Sequence, residues 1–186
     1  MVTLTALWMP ILLSAVLVFV VSSIIHMVTP WHASDFRRLP DEGKVMDALR
    51  PFGLEPGSYV APRPSGTKEM GTPEWADKVK RGPNFMLQVM PNRSAAMGPR
   101  LVIWFVYAVI VGGFSGYVAG HALGAGADYL QVFRFVGTAA FLSYAVALWQ
   151  MSIWYARPWS VTLRTTIDGL IYALITAGTF GWLWPH

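Results

Sequence analysis

The chain contains no cysteine and few charges. The absence of Cys among its 186 residues excludes disulfides, a thiolate nucleophile and iron–sulfur ligation by thiolates. Asp, Glu, Lys and Arg make up 13% of the residues and hydrophobic residues 54%, whereas an average soluble domain has about 25% charged residues. This balance excludes an ordinary soluble globular protein and indicates a membrane protein.

Charges are absent from four long stretches. Residues 1–34, 101–127, 135–156 and 169–184 contain no Asp, Glu, Lys or Arg. About 20 helical residues are needed to cross a hydrocarbon core about 30 Å thick. The first three stretches meet this requirement, and the fourth approaches it only if it begins at Ile167 and includes Asp168. We therefore predict an all-α integral membrane fold with four transmembrane helices, at residues 4–28, 100–124, 131–156 and 165–184.

The first stretch has one competing interpretation, a secretory signal peptide. A signal peptide has a basic segment before its apolar run and a small-x-small cleavage site after it. No Lys or Arg precedes Ile11, and no such site occurs between Ile24 and Ser34. We therefore interpret the first stretch as an uncleaved membrane anchor.

The basic residues set the expected orientation. Most of the 14 Lys and Arg lie between Thr29 and Arg100, and Arg157 and Arg164 flank the connection between the third and fourth helices. Cytoplasmic loops carry the excess of Lys and Arg in membrane proteins. We expect the protein in the bacterial inner membrane, with residues 29–99 cytoplasmic and both termini periplasmic. The basic residues close enough to the first two spans to count are Arg37, Arg38, Arg93 and Arg100.

The long loop, residues 29–99, has the pattern of a small α+β insertion domain. Residues 41–50 place acids first and a base last before Pro51, as the helix dipole favours. Thr72-Pro73-Glu74 has the order of an N-cap, a first-turn proline and an acidic first turn, and Gly82-Pro83 ends that helix. Strand-like runs follow each helix, at residues 58–61 and 85–90. So small a core is marginal by itself.

Small residues recur at spacing four in three of the predicted membrane helices. Residues four apart stack on one helix face, and small side chains there let two backbones approach closely. Such a glycine zipper packs helices within one chain or builds an oligomeric channel, and we favour packing within the chain. The helix-packing residues are Gly112, Gly116, Gly120 and Gly124, then Ala139, Ser143 and Ala147, then Gly169, Ala173, Ala177 and Gly181.

The first helix has no comparable stripe. It consists mostly of Val, Leu and Ile, which suit a helix surrounded by lipid or by a partner protein. We therefore expect this helix at the periphery of the bundle, with Val18 on the face toward lipid or a partner.

Polar residues near the cytoplasmic ends of the helices form the best candidate site. His26, Gln150, Arg164 and Asp168 fall at similar depths in the predicted topology. Arg164 and Asp168 lie one helical turn apart, so they can form a salt bridge. Intramembrane charge is costly and is often functional. The cluster suits a proton or ion relay or a structural pair that anchors a helix end, and we favour the structural pair.

The histidines do not predict a haem site. Axial haem ligands have to lie at matched depth, whereas the topology places His26 and His121 in opposite leaflets, because the first and second helices run in opposite directions. The pairs His26 with His32 and His121 with His186 stay open, but an interfacial histidine that forms hydrogen bonds is the preferred interpretation. Phosphate loops, zinc spacings, nucleophile elbows and paired catalytic carboxylates are absent from the sequence. We expect no catalytic residue, no metal site and no cofactor.

Several segments are familiar from other membrane proteins. Leu39-Pro40-Asp41-Glu42 with residues 45–51, the Met97-Gly98-Pro99 entry to the second helix, and residues 168–173 at the start of the fourth resemble a family of bacterial inner-membrane proteins without an established activity. The resemblance spans most of the chain. It implies the same topology and assigns a role to no residue.

These observations favour a non-enzymatic function. The basic residues form no dense face and no nucleic-acid-binding module, so the expected partners are the lipid bilayer and a larger membrane-protein complex. The chain is then an accessory, assembly or stabilising subunit of such a complex, for example a respiratory or photosynthetic one. The alternative is a small homo-oligomeric channel or transporter that uses the glycine-striped bundle and the polar cluster near Asp168.

Overall fold

The computed structural model describes residues 1–92 and 96–186, and the protein is mostly helical. Contacts divide the chain into two units, Met1–Phe36 with Ala96–His186, and Arg37–Ala95. Arg93, one of the basic residues that set the expected orientation, lies outside the described residues. The elements are α1 (Trp8–Met27), α2 (Glu42–Leu49), β1 (Gly57–Ala61), α3 (Pro73–Arg81), β2 (Phe85–Val89), α4 (Met97–Ala122), α5 (Tyr129–Tyr144), α6 (Trp149–Tyr155) and α7 (Trp159–Trp182).

Three helices in the described part of the chain are long and apolar enough to cross a membrane. They cover Leu4–Met27, Met97–Ala122 and Tyr129–Tyr155, close to the first three predicted spans. The fold is therefore consistent with a membrane protein. Although α7 is 24 residues long, it carries Arg164 and Asp168 and is not among these three. It begins at Trp159, after Pro158, and not at residue 165 as predicted.

The third span is interrupted near its middle. α5 ends at Tyr144, a single 3₁₀ turn covers Val146–Leu148, and α6 continues to Tyr155. α7 lies close to this interruption, since a Cβ added to Gly169 would be 2.8 Å from Cβ of Ala145. Glycine at position 169 therefore lets α7 pack against the broken segment.

The first unit has two clusters of buried hydrophobic side chains, and α1 contributes to one of them. Ala15 and Val18 are 1% and 0% exposed and belong to the same cluster as Ala108 and Val111 of α4. The prediction that Val18 faces lipid or a partner is therefore wrong, because this face of α1 packs within the chain. The buried face of α1 combines small residues with valine, which lets α4 and α7 come close: Ser14, Ala15, Val18 and Ser22.

The small residues of α4 lie against other segments of the same chain. A Cβ added to Gly112 would be 3.5 Å from the carbonyl oxygen of Ile11, and one added to Gly116 would be 3.0 Å from the ring of Phe180. Gly120 lies against the backbone of Val2, whose N–H donates to the Gly120 carbonyl oxygen at 2.8 Å. A Cβ at Gly124, by contrast, would meet no atom within 4 Å.

The packing of α5 on α7 uses small residues mainly from α7. A Cβ on Gly181 would be 2.7 Å from the ring of Tyr129, while Ala173 and Ala177 are buried. On α5 the predicted stripe does not face the core: Ala139 is half-buried and Ser143 and Ala147 are exposed. One small face is sufficient for close approach, so three of the four buried residues of α5 have larger side chains: Val132, Val136 and Tyr144, with Ala140.

The second unit contains the predicted α+β elements. β1 and β2 pair antiparallel, with Ser58 opposite Gln88. α3 begins as the sequence predicts, because the Thr72 hydroxyl accepts a hydrogen bond from the backbone N–H of Trp75 and Pro73 occupies the first turn. None of the described residues 37–92 is buried, so this unit has no hydrophobic core of its own.

Candidate functional sites

A cluster of polar side chains forms where the chain leaves α1. The helix ends at Met27, the Thr29 hydroxyl donates to the carbonyl oxygen of Ile25 at 2.6 Å, and Pro30 cannot continue the helix. The backbone N–H groups of Ala33 and Asp35 then donate to the carbonyl oxygens of Pro30 and His32. These short turns hold Trp31, His32 and Asp35 beside α7, so residues 29–36 belong to the helical unit and not to the insertion.

Asp168 of α7 is the most buried member of this cluster, with 3% of its surface exposed. Its Oδ1 accepts a hydrogen bond from the indole N–H of Trp31 at 3.0 Å. Its Oδ2 lies 2.9 Å from Nε2 of His32. The geometry of this second contact is not that of a hydrogen bond, and neither atom has another hydrogen-bond partner among the described residues. Asp168 is therefore only half satisfied.

His32 lies between two carboxylates. Its Nδ1 is 2.7 Å from Oδ2 of Asp35, while its Nε2 faces Asp168. Arg164 of α7 donates a hydrogen bond to the other oxygen of Asp35 at 2.6 Å. Burial raises the pKa of Asp35, but the hydrogen bonds from His32 and Arg164 outweigh burial and hold this pKa below its ordinary value. Asp35 is therefore a carboxylate, and the Nδ1 atom of His32 carries the proton that it accepts.

His26 completes the group from the last turn of α1. Its ring stacks on that of His32, with ring centroids 4.3 Å apart, and its Nε2 is 3.4 Å from the hydroxyl of Tyr172. One ligand atom from each of His26, His32 and Asp168 can be chosen so that all three lie within 4.8 Å of one another. We refer to these three residues as the His–His–Asp cluster.

A cavity of about 650 Å³ opens beside this cluster. Asp168 belongs both to its wall and to the His–His–Asp cluster, and Arg164 is the other charged residue of the lining. The remaining wall is mostly apolar, so the cavity gives a small solute access to a charged group in an apolar setting. The apolar and weakly polar lining residues are Ile25, Thr29, Pro30, Trp31, Ser34, Ile167 and Ile171.

The structure brings three of the four residues of the predicted polar cluster together. His26, Arg164 and Asp168 meet at the end of α1, whereas Gln150 lies exposed in α6 and outside the group. The helical spacing predicts a salt bridge between Arg164 and Asp168, but Arg164 pairs with Asp35 instead. The reason is that the segment after α1 supplies a second carboxylate, and His32 and Trp31 occupy the space around Asp168.

Sequence reasoning missed Trp31, His32 and Asp35 as members of this site. A weak signal was present, since His32 and Asp35 are three residues apart and directly follow an apolar span. The other half of the site lies in α7, far along the chain: Arg164 is 129 positions after Asp35. No local pattern joins the two halves.

The outward face of α5 is a second candidate site. Gln131, Arg134 and Thr138 are exposed and lie at i, i+3 and i+7, so they share one side of the helix. The outward faces of the other two candidate spans differ. α1 exposes Leu12, Val16 and Val20, and α4 exposes Val106, Ile110 and Phe114. α5 alone among these three stripes carries a charge.

No protein-family model, no curated protein and no solved structure matches this chain. The function therefore has to be inferred from the arrangement of its own residues.

Proposed function

We propose that the protein is a non-enzymatic accessory or stabilising subunit of a larger complex in the bacterial inner membrane. The observation that carries this proposal is the polar stripe on the outward face of α5, formed by Gln131, Arg134 and Thr138. The face of α1 that contains Val18 does not support the proposal, since it packs against α4 and α7.

The proposed topology has four crossings. Three are the apolar helices, and α7 is the fourth, because it packs against α1 and α5 and its 24 residues extend about 36 Å. Its two charged residues, Arg164 and Asp168, lie in its first half. In this topology that half is near the membrane–water interface at which α1 ends. The distribution of Lys and Arg supports a cytoplasmic location for residues 29–99 and a periplasmic location for both termini.

In this topology, contact between the charged side chain of Arg134 and lipid is energetically unfavourable. A charged side chain within a membrane helix costs about 2.5–3.5 kcal/mol at the helix centre, and less near an end, where it reaches the headgroups. Arg134 lies in the second turn of α5 and forms no ion pair with any described residue. Gln131 and Thr138 extend the polar stripe on either side of it. A partner helix with an Asp or Glu at the depth of Arg134 would satisfy the whole stripe.

Substitution of Arg134 tests the proposal. We expect the full chain, extracted from its native membranes in a mild detergent, to carry another membrane polypeptide in fixed stoichiometry. Arg134→Leu should lower the recovered partner at least about tenfold, because a buried charge pair that loses one member is strongly destabilised. Phe135→Leu is the matched control, since Phe135 is an exposed neighbour on α5, and it should retain the partner.

The same preparation separates the rival functions. A photo-crosslinking residue at Thr138 should form one discrete adduct with the copurified polypeptide, and the same residue at Val20 should not. A homo-oligomer without a second polypeptide would replace the accessory function with the channel or transporter. A partner retained equally by Arg134→Leu and Phe135→Leu would contradict the α5 interface.

A further inference from the structure

The contact between His32 and Asp168 brings together two atoms that do not attract each other when both are unprotonated. Nδ1 of His32 contacts Oδ2 of Asp35 at 2.7 Å, so Nε2 is the ring nitrogen left to bind a ligand. Nε2 faces Oδ2 of Asp168 at 2.9 Å. Two acceptors at this distance repel unless a cation lies between them or a proton joins them. The contact does not have hydrogen-bond geometry, and an ion bound by both atoms would satisfy each of them.

From this geometry we propose that His26, His32 and Asp168 bind a divalent transition-metal ion of the Zn²⁺ type. Two ligands that each lie about 2.0–2.1 Å from an ion are about 2.9 Å apart when they subtend 90° and about 3.4 Å apart when they subtend 109°. The observed 2.9 Å between Nε2 of His32 and Oδ2 of Asp168 matches an edge of such a coordination shell. Both atoms are buried and have no hydrogen-bond partner among the described residues.

The groups around the ligands are those that metal sites use. A ligating histidine commonly donates its other ring N–H to a carboxylate, which fixes the tautomer and raises the basicity of the ligating nitrogen. Asp35 is the carboxylate in contact with the other ring nitrogen of His32, and Arg164 forms an ion pair with Asp35. The indole of Trp31 holds Oδ1 of Asp168, which leaves Oδ2 for the ion. Asp35 and Arg164 are therefore positioning residues and not ligands.

His26 closes the site by a small movement. The largest separation among the three ligand atoms is within 4.8 Å, whereas two atoms bound to one ion are at most about 4.2 Å apart. His26 is exposed at the end of α1 and has only a long contact of 3.4 Å with the Tyr172 hydroxyl. Rotation of its side chain can therefore bring a ring nitrogen to the ion.

The donor set and the charge determine the class of ion. Two imidazoles and one carboxylate suit Zn²⁺, Fe²⁺, Co²⁺ and Ni²⁺, whereas Mg²⁺ and Ca²⁺ prefer oxygen ligands, and the chain has no Cys to favour Cu⁺. One carboxylate and one divalent ion leave a net charge of +1 with neutral imidazoles, and Asp35 and Arg164 offset each other. Three protein ligands leave at least one coordination position open, and the cavity lined by Asp168 gives access to it.

Metal titration of the full chain tests this proposal directly. The protein is purified in detergent without a histidine tag, treated with a chelator, and titrated with Zn²⁺ by calorimetry. We expect one Zn²⁺ per chain and a higher Tm in its presence, since the ion binds only the folded site. Co²⁺ should bind in competition with Zn²⁺ and give visible d–d absorption with the intensity of a four- or five-coordinate site.

Four variants test the assignment of His32 and Asp168 as ligands. His32→Gln and Asp168→Asn each remove one of three protein ligands and should weaken Zn²⁺ binding by more than about 100-fold, whereas Asp35→Asn should weaken it by about 10–100-fold, as outer-shell substitutions do. His121→Gln is the matched control, because His121 is an exposed histidine that contacts the Tyr117 carbonyl oxygen and lies outside the cluster. It should bind Zn²⁺ as the wild type does.

Three results would overturn the proposal. The first is a wild-type protein that binds no Zn²⁺ above the detergent blank. The second is equal Zn²⁺ affinity of the wild type and Asp168→Asn. The third is an equal loss of Zn²⁺ affinity in His121→Gln and His32→Gln. Circular dichroism and a single gel-filtration peak establish that each variant is folded. Should His32→Gln not fold, the isosteric Asp168→Asn and the wild-type stoichiometry still decide the outcome.

Discussion

Arg164 in α7 donates a hydrogen bond to Asp35, 129 positions earlier in the chain, at a distance of 2.6 Å. The Asp35 side chain is buried, and that of Arg164 is one quarter exposed. The pair therefore fixes the segment that follows α1 to the outer surface of α7, and through Asp35 it also orients His32. The charges at this end of the bundle are consequently one connected network rather than separate surface pairs.

Substitution of this pair should destabilise the bundle in a coupled manner. In the metal-free protein, Arg164→Gln and Asp35→Asn should each lower the free energy of unfolding by about 1–3 kcal/mol, because each removes a charged partner from a partly buried group. The double variant should lose less free energy of unfolding than the two single variants lose together, and the difference, the coupling energy, should be about 0.5–3 kcal/mol. Unfolding by denaturant in mild detergent measures all three.

The exposed pair of Asp47 and Arg50 serves as the control for this cycle. Both side chains are about two-thirds exposed, and surface pairs contribute about 0–1 kcal/mol. Arg50→Gln should therefore be almost silent. Additive effects of Arg164→Gln and Asp35→Asn would show that the two residues do not act as a pair.

Val18 and Val20 should respond differently to the same substitution. Val18 is fully buried between α1 and its neighbours, whereas Val20, two positions later, is 48% exposed. Val18→Ala should lower the free energy of unfolding by about 1–3 kcal/mol, because it leaves a cavity that the packed helices cannot fill. Val20→Ala should cost less than about 0.5 kcal/mol. Thermal unfolding in detergent provides the comparison, and equal losses would contradict the buried face of α1.

Cysteine labelling should determine the orientation, and the absence of native Cys makes the experiment clean. Thr67→Cys and Ala125→Cys are both exposed positions, and Ala125 avoids the positive φ of 73° at Gly126. In intact cells an impermeant maleimide should label Ala125→Cys and not Thr67→Cys, since the second position is proposed to be cytoplasmic. Opened cells should label both. The reverse pattern in intact cells would invert the proposed topology.

Periodicity and composition by themselves determined most of the secondary structure. Uncharged stretches located the three apolar spans to within a few residues, because each residue contributes independently to transfer into lipid. Local capping chemistry was equally reliable, as the Thr72–Pro73 start of α3 illustrates. Capping depends on residues within about one helical turn, and hydropathy on residues within one helix. Neither depends on which helices contact each other.

Only the tertiary structure decided which faces are buried and which charges meet. Val18 looked like a lipid-facing residue because lipid and a protein core are equally apolar, so hydropathy does not distinguish the two sides of a membrane helix. The partner of Arg164 was misassigned for a related reason. A helical neighbour at i+4, Asp168, was available in the sequence, but the turns after Met27 bring Asp35 and His32 across the bundle. Such a contact depends on how three segments pack together, and no local pattern encodes it.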